Sequence, residues 1–215
     1  VDKYAKLLRV SVASAGNDHR LGANEAPPAV ISIFLGDELE SILSAIDKGI
    51  SPEDAEHTLM NIGAKILPTF TKDTTDRNRT SPFAFTGNKF EFRMPGSSVS
   101  VADPNVILNT AVADSLRHMR KELEGTSEDK LQDSLMKLLQ KTLKEHKRVL
   151  FNGNGYTDEW LTEAEKRGLP NLKSLPDAMP ALIEDDSIAL FTAYHIFSET
   201  ELRARYEILL ENYSK

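Results

Sequence analysis

The sequence of 215 residues predicts an α+β fold that is mostly helical. Several long segments place apolar residues three or four positions apart, between residues that favour helix termini, and this spacing is typical of amphipathic helices. Residues 88–94 instead alternate charged and apolar side chains with a period of two, which indicates a strand. Apolar residues make up 40% of the chain and charged residues 27%, so the composition is that of an ordinary globular protein.

Three helices are predicted before this strand. The first covers residues 2–14 and gives way to small residues and turn formers, which lead into a polar loop. The second covers residues 29–48, because two prolines precede it and Gly49 follows it as a cap. The third begins at Ser51 as the N-cap, with a proline and two acidic residues next to it, and extends to Leu67.

The part of the chain after the strand is predicted to be almost entirely helical. A stripe of apolar residues defines a helix over residues 105–123, and a Thr-Ser-Glu-Asp signal opens a second helix that buries five leucines. A short helix follows Thr157, the proline-rich segment 172–180 is predicted to be loop, and two helices cover residues 179–190 and 198–213. The stripe consists of Leu108, Val112, Leu116, Met119 and Leu123, and the leucines are Leu131, Leu135, Leu138, Leu139 and Leu143.

The predicted strand over residues 88–94 has two different faces. One face carries Lys89, Glu91 and Arg93, and the other carries Phe90, Phe92 and Met94. The apolar face is predicted to pack against a core. The charged face follows a further arginine, Arg79, and its mixed signs suit a polyanionic ligand together with a metal ion. The spacing alone favours a solvated face whose charges pair across strands.

The overall charge argues against one large class of function. A net charge of −7 and a pI near 5.3 do not suit a nucleic-acid-binding protein, because phosphate backbones require clustered lysine and arginine. The chain has no cysteine, which excludes disulfides and thiolate-bound metals. No apolar run reaches the roughly 18 residues of a membrane span, and the first residues show neither a signal peptide nor an initiator methionine. We therefore expect a cytoplasmic protein without a membrane segment, of which this chain is one part.

Three short motifs follow one another along the chain. Arg20-Leu21 leads to Glu25-Ala26-Pro27, then comes Asn78-Arg79-Thr80, and the strand supplies Glu91-Phe92-Arg93. In this order the motifs resemble the glutamate- and phosphate-binding half of a glutamine synthetase, most closely the large type III form. The resemblance covers roughly residues 15–110.

The resemblance implies how the chain is divided. Residues 1–110 would be the C-terminal part of the catalytic domain, with short antiparallel strands around the polar strand 88–94, and residues 111–215 would be a helical extension. The earlier part of the family's catalytic domain is missing, including the nucleotide segment and most of the metal ligands. The isolated chain is therefore expected to be inactive.

The resemblance also implies an activity and its site. The parent enzyme would form glutamine from glutamate, ammonia and ATP through a γ-glutamyl phosphate, with Mg²⁺ or Mn²⁺, in a cytoplasmic homo-oligomer built as a dodecameric double ring. Arg20 and Arg93 would bind the glutamate carboxylate, because arginine offers a planar charged fork. Arg79 would be the catalytic cation on the nucleotide phosphate, Glu91 a metal ligand, and Glu25 the flap acid that takes a proton from ammonium.

Two other hypotheses fit the same residues. One is a related ligase that joins glutamate to another amine. The other is a non-enzymatic helical module for interaction or oligomerisation, whose amphipathic helices bind partners. The enzyme hypothesis predicts that Arg20, Arg79, Glu91 and Arg93 converge in one pocket, whereas the interaction hypothesis predicts an exposed apolar patch larger than a few hundred Å².

Overall fold

The fold is known from a computed structural model that describes residues 1–23, 26, 28–49 and 81–213. It confirms the predicted class, because helices predominate and the strands form a single small sheet in the described ranges. In those ranges no helix has both the length and the apolar character needed to cross a membrane. The helices are α1 (Ala5–Val10), α2 (Ala15–Arg20), α3 (Asp37–Asp47), α4 (Ala102–Leu123), α5 (Leu131–His146), α6 (Asp158–Lys166), α7 (Leu175–Ala178), α8 (Asp185–Ala193) and α9 (Glu199–Tyr213). The strands are β1 (Ile33–Phe34), β2 (Phe83–Phe85) and β3 (Phe90–Phe92).

The sheet has the order β1-β2-β3. Strands β2 and β3 are antiparallel, as predicted, with Phe83 opposite Phe92 and Phe85 opposite Phe90. Strand β1 instead pairs parallel to β2, with Ile33 opposite Phe83. The facing phenylalanine rings lie 5.2 Å apart in both cross-strand pairs, so aromatic packing stabilises the antiparallel ladder.

The chain before the sheet differs from the prediction in two places. Helix α2 occupies a segment predicted as turn and loop, and its N-cap is Ser14, whose side chain accepts a hydrogen bond from the Asn17 amide. Only the second half of the helix predicted over residues 29–48 forms, as α3, because the β-branched run around Ile33 pairs with β2 instead. Gly49 has a φ of 78° and ends α3 as predicted. The helix predicted from Ser51 lies outside the described residues.

Most helices after the sheet agree with the prediction, because their capping signals are local. Thr157 caps α6 by accepting a hydrogen bond from the Trp160 amide, and Ser198 forms the predicted capping box with Glu201. The segment predicted as loop contains α7, which has its own capping box between Ser174 and Asp177. The helix predicted over residues 179–190 is divided into a 3₁₀ helix and α8.

The main hydrophobic core joins parts of the chain that are far apart in sequence. It combines the apolar side of α1, a single residue from the segment after β3, one face of α4 and the C-terminal helices. Its buried residues include Leu8, Val12, Met94, Ile107, Met179, Leu182, Phe191 and Leu202. A second, smaller core surrounds Trp160, whose ring stacks on Phe151 at 3.8 Å between centroids. The division at residue 110 stays a prediction, and residues from both sides of it share the main core.

Helix α4 buries a different face from the one its apolar stripe predicts. Pro104, Ile107 and Asp114 are buried, whereas Val112 and Leu116 in the stripe are 55% and 60% exposed. Helix α5 covers the predicted face in part, because Leu138 is buried and Leu139 and Leu143 are half-buried, whereas the first two of its five leucines are exposed. The neighbours that α4 finds in the described residues lie beside its apolar stripe, on the face of Ile107 and Asp114.

Candidate active site

Arg20 lies at the end of α2 and contacts the chain just after β3. Its Nε donates to Asn17 Oδ1 at 2.9 Å, and its Nη2 donates to the Met94 carbonyl at 2.7 Å. The Pro95 carbonyl lies 3.5 Å from the same Nη2. The guanidinium is therefore fixed against the residue that directly follows Arg93.

Asn17 is the residue that joins the two segments. Its side chain is buried, and Nδ2 donates to the Val12 carbonyl at 2.6 Å and to the Met94 carbonyl at 3.0 Å. A Cβ atom at Gly96 would lie 3.3 Å from Asn17 Oδ1, so this close approach favours glycine. By residue type Asn17 is a loop former with a structural role, and the hydrogen bonds agree with that interpretation.

Strand β3 presents the charged residues to one side. Arg93 Nε lies 3.3 Å from Glu91 Oε2, and Lys89 Nζ lies 3.5 Å from Glu91 Oε1. The Arg93 amide donates to the Pro82 carbonyl at 2.8 Å, which fixes the backbone beside the sheet. The Arg93 side chain is only 14% exposed, whereas Lys89 on the same face is 65% exposed.

The apolar side of β3 is buried only toward its C-terminal end. Met94 is fully buried and Phe92 packs against the main core, as predicted. Phe90 is exposed, which corrects the prediction that the whole apolar face is covered. The well-packed end of the strand is thus the end that carries Arg93 and receives Arg20.

Three of the five predicted site residues can be located. Arg20, Glu91 and Arg93 lie around the C-terminal end of β3, because the acceptor of Arg20 is the neighbour of Arg93. Glu25 and Arg79 lie outside the described residues. The roles of all five residues stay predictions.

Comparison with known proteins tests the resemblance. Residues 134–215 match a family model described as the glutamine synthetase C-terminal domain. Over its full length, the chain is 56% identical to a glutamine synthetase of Butyrivibrio fibrisolvens, 49% identical to the type-3 glutamine synthetase of Dictyostelium discoideum and 42% identical to a glutamine synthetase of Bacteroides fragilis. The chain is homologous to glutamine synthetases.

The extent of the match agrees with a partial chain. The glutamine synthetase relatives cover all of this chain, whereas the chain spans about 30% of their length. The predicted resemblance to glutamine synthetases, including the type III form, is therefore confirmed. The chain corresponds to a part of the length of these relatives.

A divalent metal does not fit the described residues by themselves. Among them, no group of three or more His, Cys, Asp or Glu side chains is placed to hold an ion. Glu91 offers one carboxylate, which Lys89 and Arg93 already neutralise in part. Mg²⁺ and Mn²⁺ prefer about six oxygen ligands, so a glutamine synthetase site built on Glu91 needs further ligands from elsewhere.

Sequence reasoning missed one buried pair beside this site. The Arg9 guanidinium forms an ion pair with Asp18, and the two side chains are 1% and 7% exposed. In the sequence Arg9 is one of several basic residues on a helix and Asp18 is a turn former, so neither shows a distinguishing signal. Only the fold shows that Arg9 on α1 meets Asp18 on α2.

Proposed function

We propose that this chain forms the glutamate-binding side of the active site in a longer glutamate–ammonia ligase, a glutamine synthetase. The observation that supports this most is the hydrogen bond from Arg20 to the carbonyl next to Arg93. Two arginines held at one strand end suit the α-carboxylate of glutamate, because guanidinium groups are permanently charged donors whose geometry matches a carboxylate. The identity of 42–56% to glutamine synthetases supports the same substrate.

The proposed reaction has two steps. The γ-carboxylate of glutamate takes the terminal phosphoryl group of ATP, which gives γ-glutamyl phosphate and ADP. Ammonia then attacks the acyl carbon, the C–O bond to phosphate breaks, and glutamine and phosphate leave. Arg79 would stabilise the charge on the transferring group, and Glu25 would take the proton that ammonium loses. Glu91 would supply one ligand to Mg²⁺ or Mn²⁺.

In this proposal the rest of the longer protein supplies the remaining metal ligands and the nucleotide-binding segment. The described residues do not supply a metal site of their own. We therefore expect the isolated chain to form no glutamine from glutamate, ammonia and ATP. Assembly into a cytoplasmic dodecameric double ring belongs to the same proposal.

The test is a graft of this chain into the Butyrivibrio fibrisolvens glutamine synthetase, in place of the 218 residues that it matches. Arg20→Ala and Arg93→Ala should each raise the KM for glutamate on the order of 100-fold, because a charged ligand group loses its paired donor. Arg203→Ala is the matched control, since Arg203 pairs with Glu199 on the exposed side of α9. If the two site variants behave like the control, the proposal is wrong.

The two competing hypotheses predict other outcomes of the same experiment. A related ligase would couple a larger amine in preference to ammonia when both are offered to the graft. The interaction hypothesis is favoured by the exposed apolar residues of α4 and α5, such as Leu116 and Leu135. It predicts a graft that folds but makes no product with any amine.

A further inference from the structure

A buried ion pair ties α2 to the C-terminal part of the chain. The Arg9 guanidinium contacts Asp18, and it also donates to the Leu172 carbonyl at 2.7 Å and to the Lys173 carbonyl at 3.0 Å. The second Asp18 oxygen accepts a hydrogen bond from the Leu175 amide at 2.6 Å, at the start of α7. The pair thus links α1, α2 and residues 172–175 through four directional contacts.

Helix α2 depends on these contacts for its position. It has six residues, and a helix of that length is not stable in water without tertiary contacts. Asp18 is in its middle, between Asn17 and Arg20 in the sequence. The same short helix therefore carries the buried anchor and the arginine that reaches Met94.

The C-terminal helix reaches the pair as well. Tyr213, at the end of α9, packs against the main core beside Asp18. Burial and the adjacent Asp18 carboxylate raise the pKa of the Tyr213 hydroxyl. The start of α7 therefore contacts Asp18 directly, and the end of α9 lies beside it.

We propose that Arg9 and Asp18 are positioning residues, through which the C-terminal helices hold Arg20 in the geometry that binds glutamate. The pair does not touch the substrate. It fixes the orientation of α2, and a small rotation of α2 would withdraw the Arg20 guanidinium from the end of β3. This inference rests on the proposed function, since it assigns Arg20 to the glutamate carboxylate.

The first test uses Asp18→Asn in the grafted enzyme. The variant keeps the size of the side chain but loses the charge that pairs with Arg9. We expect the KM for glutamate to rise about tenfold and the KM for ATP to change less than about twofold, because only Arg20 is displaced. Asp47→Asn is the matched control, since it removes the charge that pairs with Lys147 at the end of α3. Equal effects of the two variants on both KM values would overturn the proposal.

A milder variant covers the case in which Asp18→Asn does not fold. Tyr213→Phe removes one hydroxyl beside Asp18, and Tyr206→Phe, two turns earlier on α9, is its control. We expect Tyr213→Phe to raise the glutamate KM about threefold, and to speed amide hydrogen exchange in α2 by a similar factor, with no change in the control. Unchanged values for Tyr213→Phe would also overturn the proposal.

The outcomes separate this inference from the function on which it rests. If Arg20→Ala leaves the glutamate KM unchanged, the proposed function fails, and hydrogen exchange in α2 still shows whether the pair holds the helix. If Arg20→Ala raises the KM but Asp18→Asn and Tyr213→Phe do not, the function stands and the positioning role is wrong.

Discussion

Two regions of this molecule depart in opposite ways from the rule that apolar side chains are buried and polar ones exposed. Around α2, the charged and polar residues Arg9, Asn17, Asp18 and Arg20 form what we call the α2 joint, and its contacts lie largely away from solvent. In the pair of helices α4 and α5, apolar side chains such as Leu116 face outward, and the Arg120–Glu124 ion pair lies on the surface. Position in the fold therefore decides burial here more than residue type does.

The difference has an energetic meaning. A buried polar group that is paired becomes costly when its partner is removed. Exposed ion pairs and exposed leucines contribute little to stability, because water replaces their contacts. The α2 joint should therefore respond strongly to single changes, and the outer face of α4 and α5 should tolerate them.

The sharpest comparison is between two ion pairs. Asp18→Ala leaves the Arg9 guanidinium buried without an anion, and we expect a loss of about 3–5 kcal/mol in the free energy of unfolding. Glu124→Ala removes the exposed partner of Arg120 on α4 and should cost less than about 1 kcal/mol. Urea unfolding of the chain, followed by circular dichroism, measures both. Similar losses would mean that the buried pair has no special role.

The two faces of α4 provide the next comparison. Ile107 is buried in the main core, so Ile107→Ala should lower the free energy of unfolding by about 2–4 kcal/mol. Leu116→Ala, on the exposed stripe, should change it by less than about 0.5 kcal/mol. The same unfolding experiment applies. A large loss for Leu116→Ala would show that the stripe is covered in solution.

Two asparagines test the polar contacts without changing any charge. Asn17→Ala removes the donor to the Val12 and Met94 carbonyls and should cost about 1–3 kcal/mol, because buried acceptors lose their partner. Asn109→Ala removes a single exposed bond to the Asn105 carbonyl within α4 and should cost less than about 0.5 kcal/mol. Thermal unfolding of the two variants measures both losses of stability. A larger loss for Asn109→Ala than for Asn17→Ala would contradict this expectation.

The smallest expected effect depends on pH and concerns the buried face of α4. Burial by itself would raise the pKa of Asp114, but hydrogen bonds from Tyr4 and Lys3 outweigh it and hold the pKa below its ordinary value of 3.8. The stability from this carboxylate is therefore present above pH 3.8 and is lost as the pH falls through the lowered pKa. Tyr4→Phe should cost about 1 kcal/mol at pH 7.

Urea unfolding at a series of pH values checks this expectation. The difference between Tyr4→Phe and the unsubstituted chain should shrink as the pH falls below 3.8. Tyr206→Phe, which is remote from Asp114, should show no such trend. A difference that stays constant with pH would rule out the carboxylate as its origin.

The sequence predicts what local interactions decide. Capping by Thr157 and by Ser198 with Glu201, and the end of α3 at Gly49, depend on neighbours a few residues away, and all are confirmed. The alternation of charged and apolar residues around β3 is likewise a local pattern, and it predicted the charged face that carries Arg93.

What the sequence could not predict depends on distant partners. Helix α2 is held by contacts of Asp18 with Leu175, 157 positions away, and with Arg9, which in turn contacts Leu172, 163 positions away. The parallel pairing of β1 with β2 and the face that α4 buries were missed for the same reason. An apolar stripe shows that a helix is amphipathic, but the neighbours in the fold decide which side is covered.

The composition of the main core determines how late during synthesis the protein can complete its folding. Leu8 near the beginning of the chain packs in the same core as Leu202. A ribosome adds roughly 5–20 residues per second, so Leu8 waits on the order of 10–40 seconds before Leu202 emerges. During that interval the main core lacks its C-terminal helices, and apolar side chains that they cover are exposed. Expression at lower temperature, or together with a chaperone that binds apolar segments, should therefore improve the yield of folded chain.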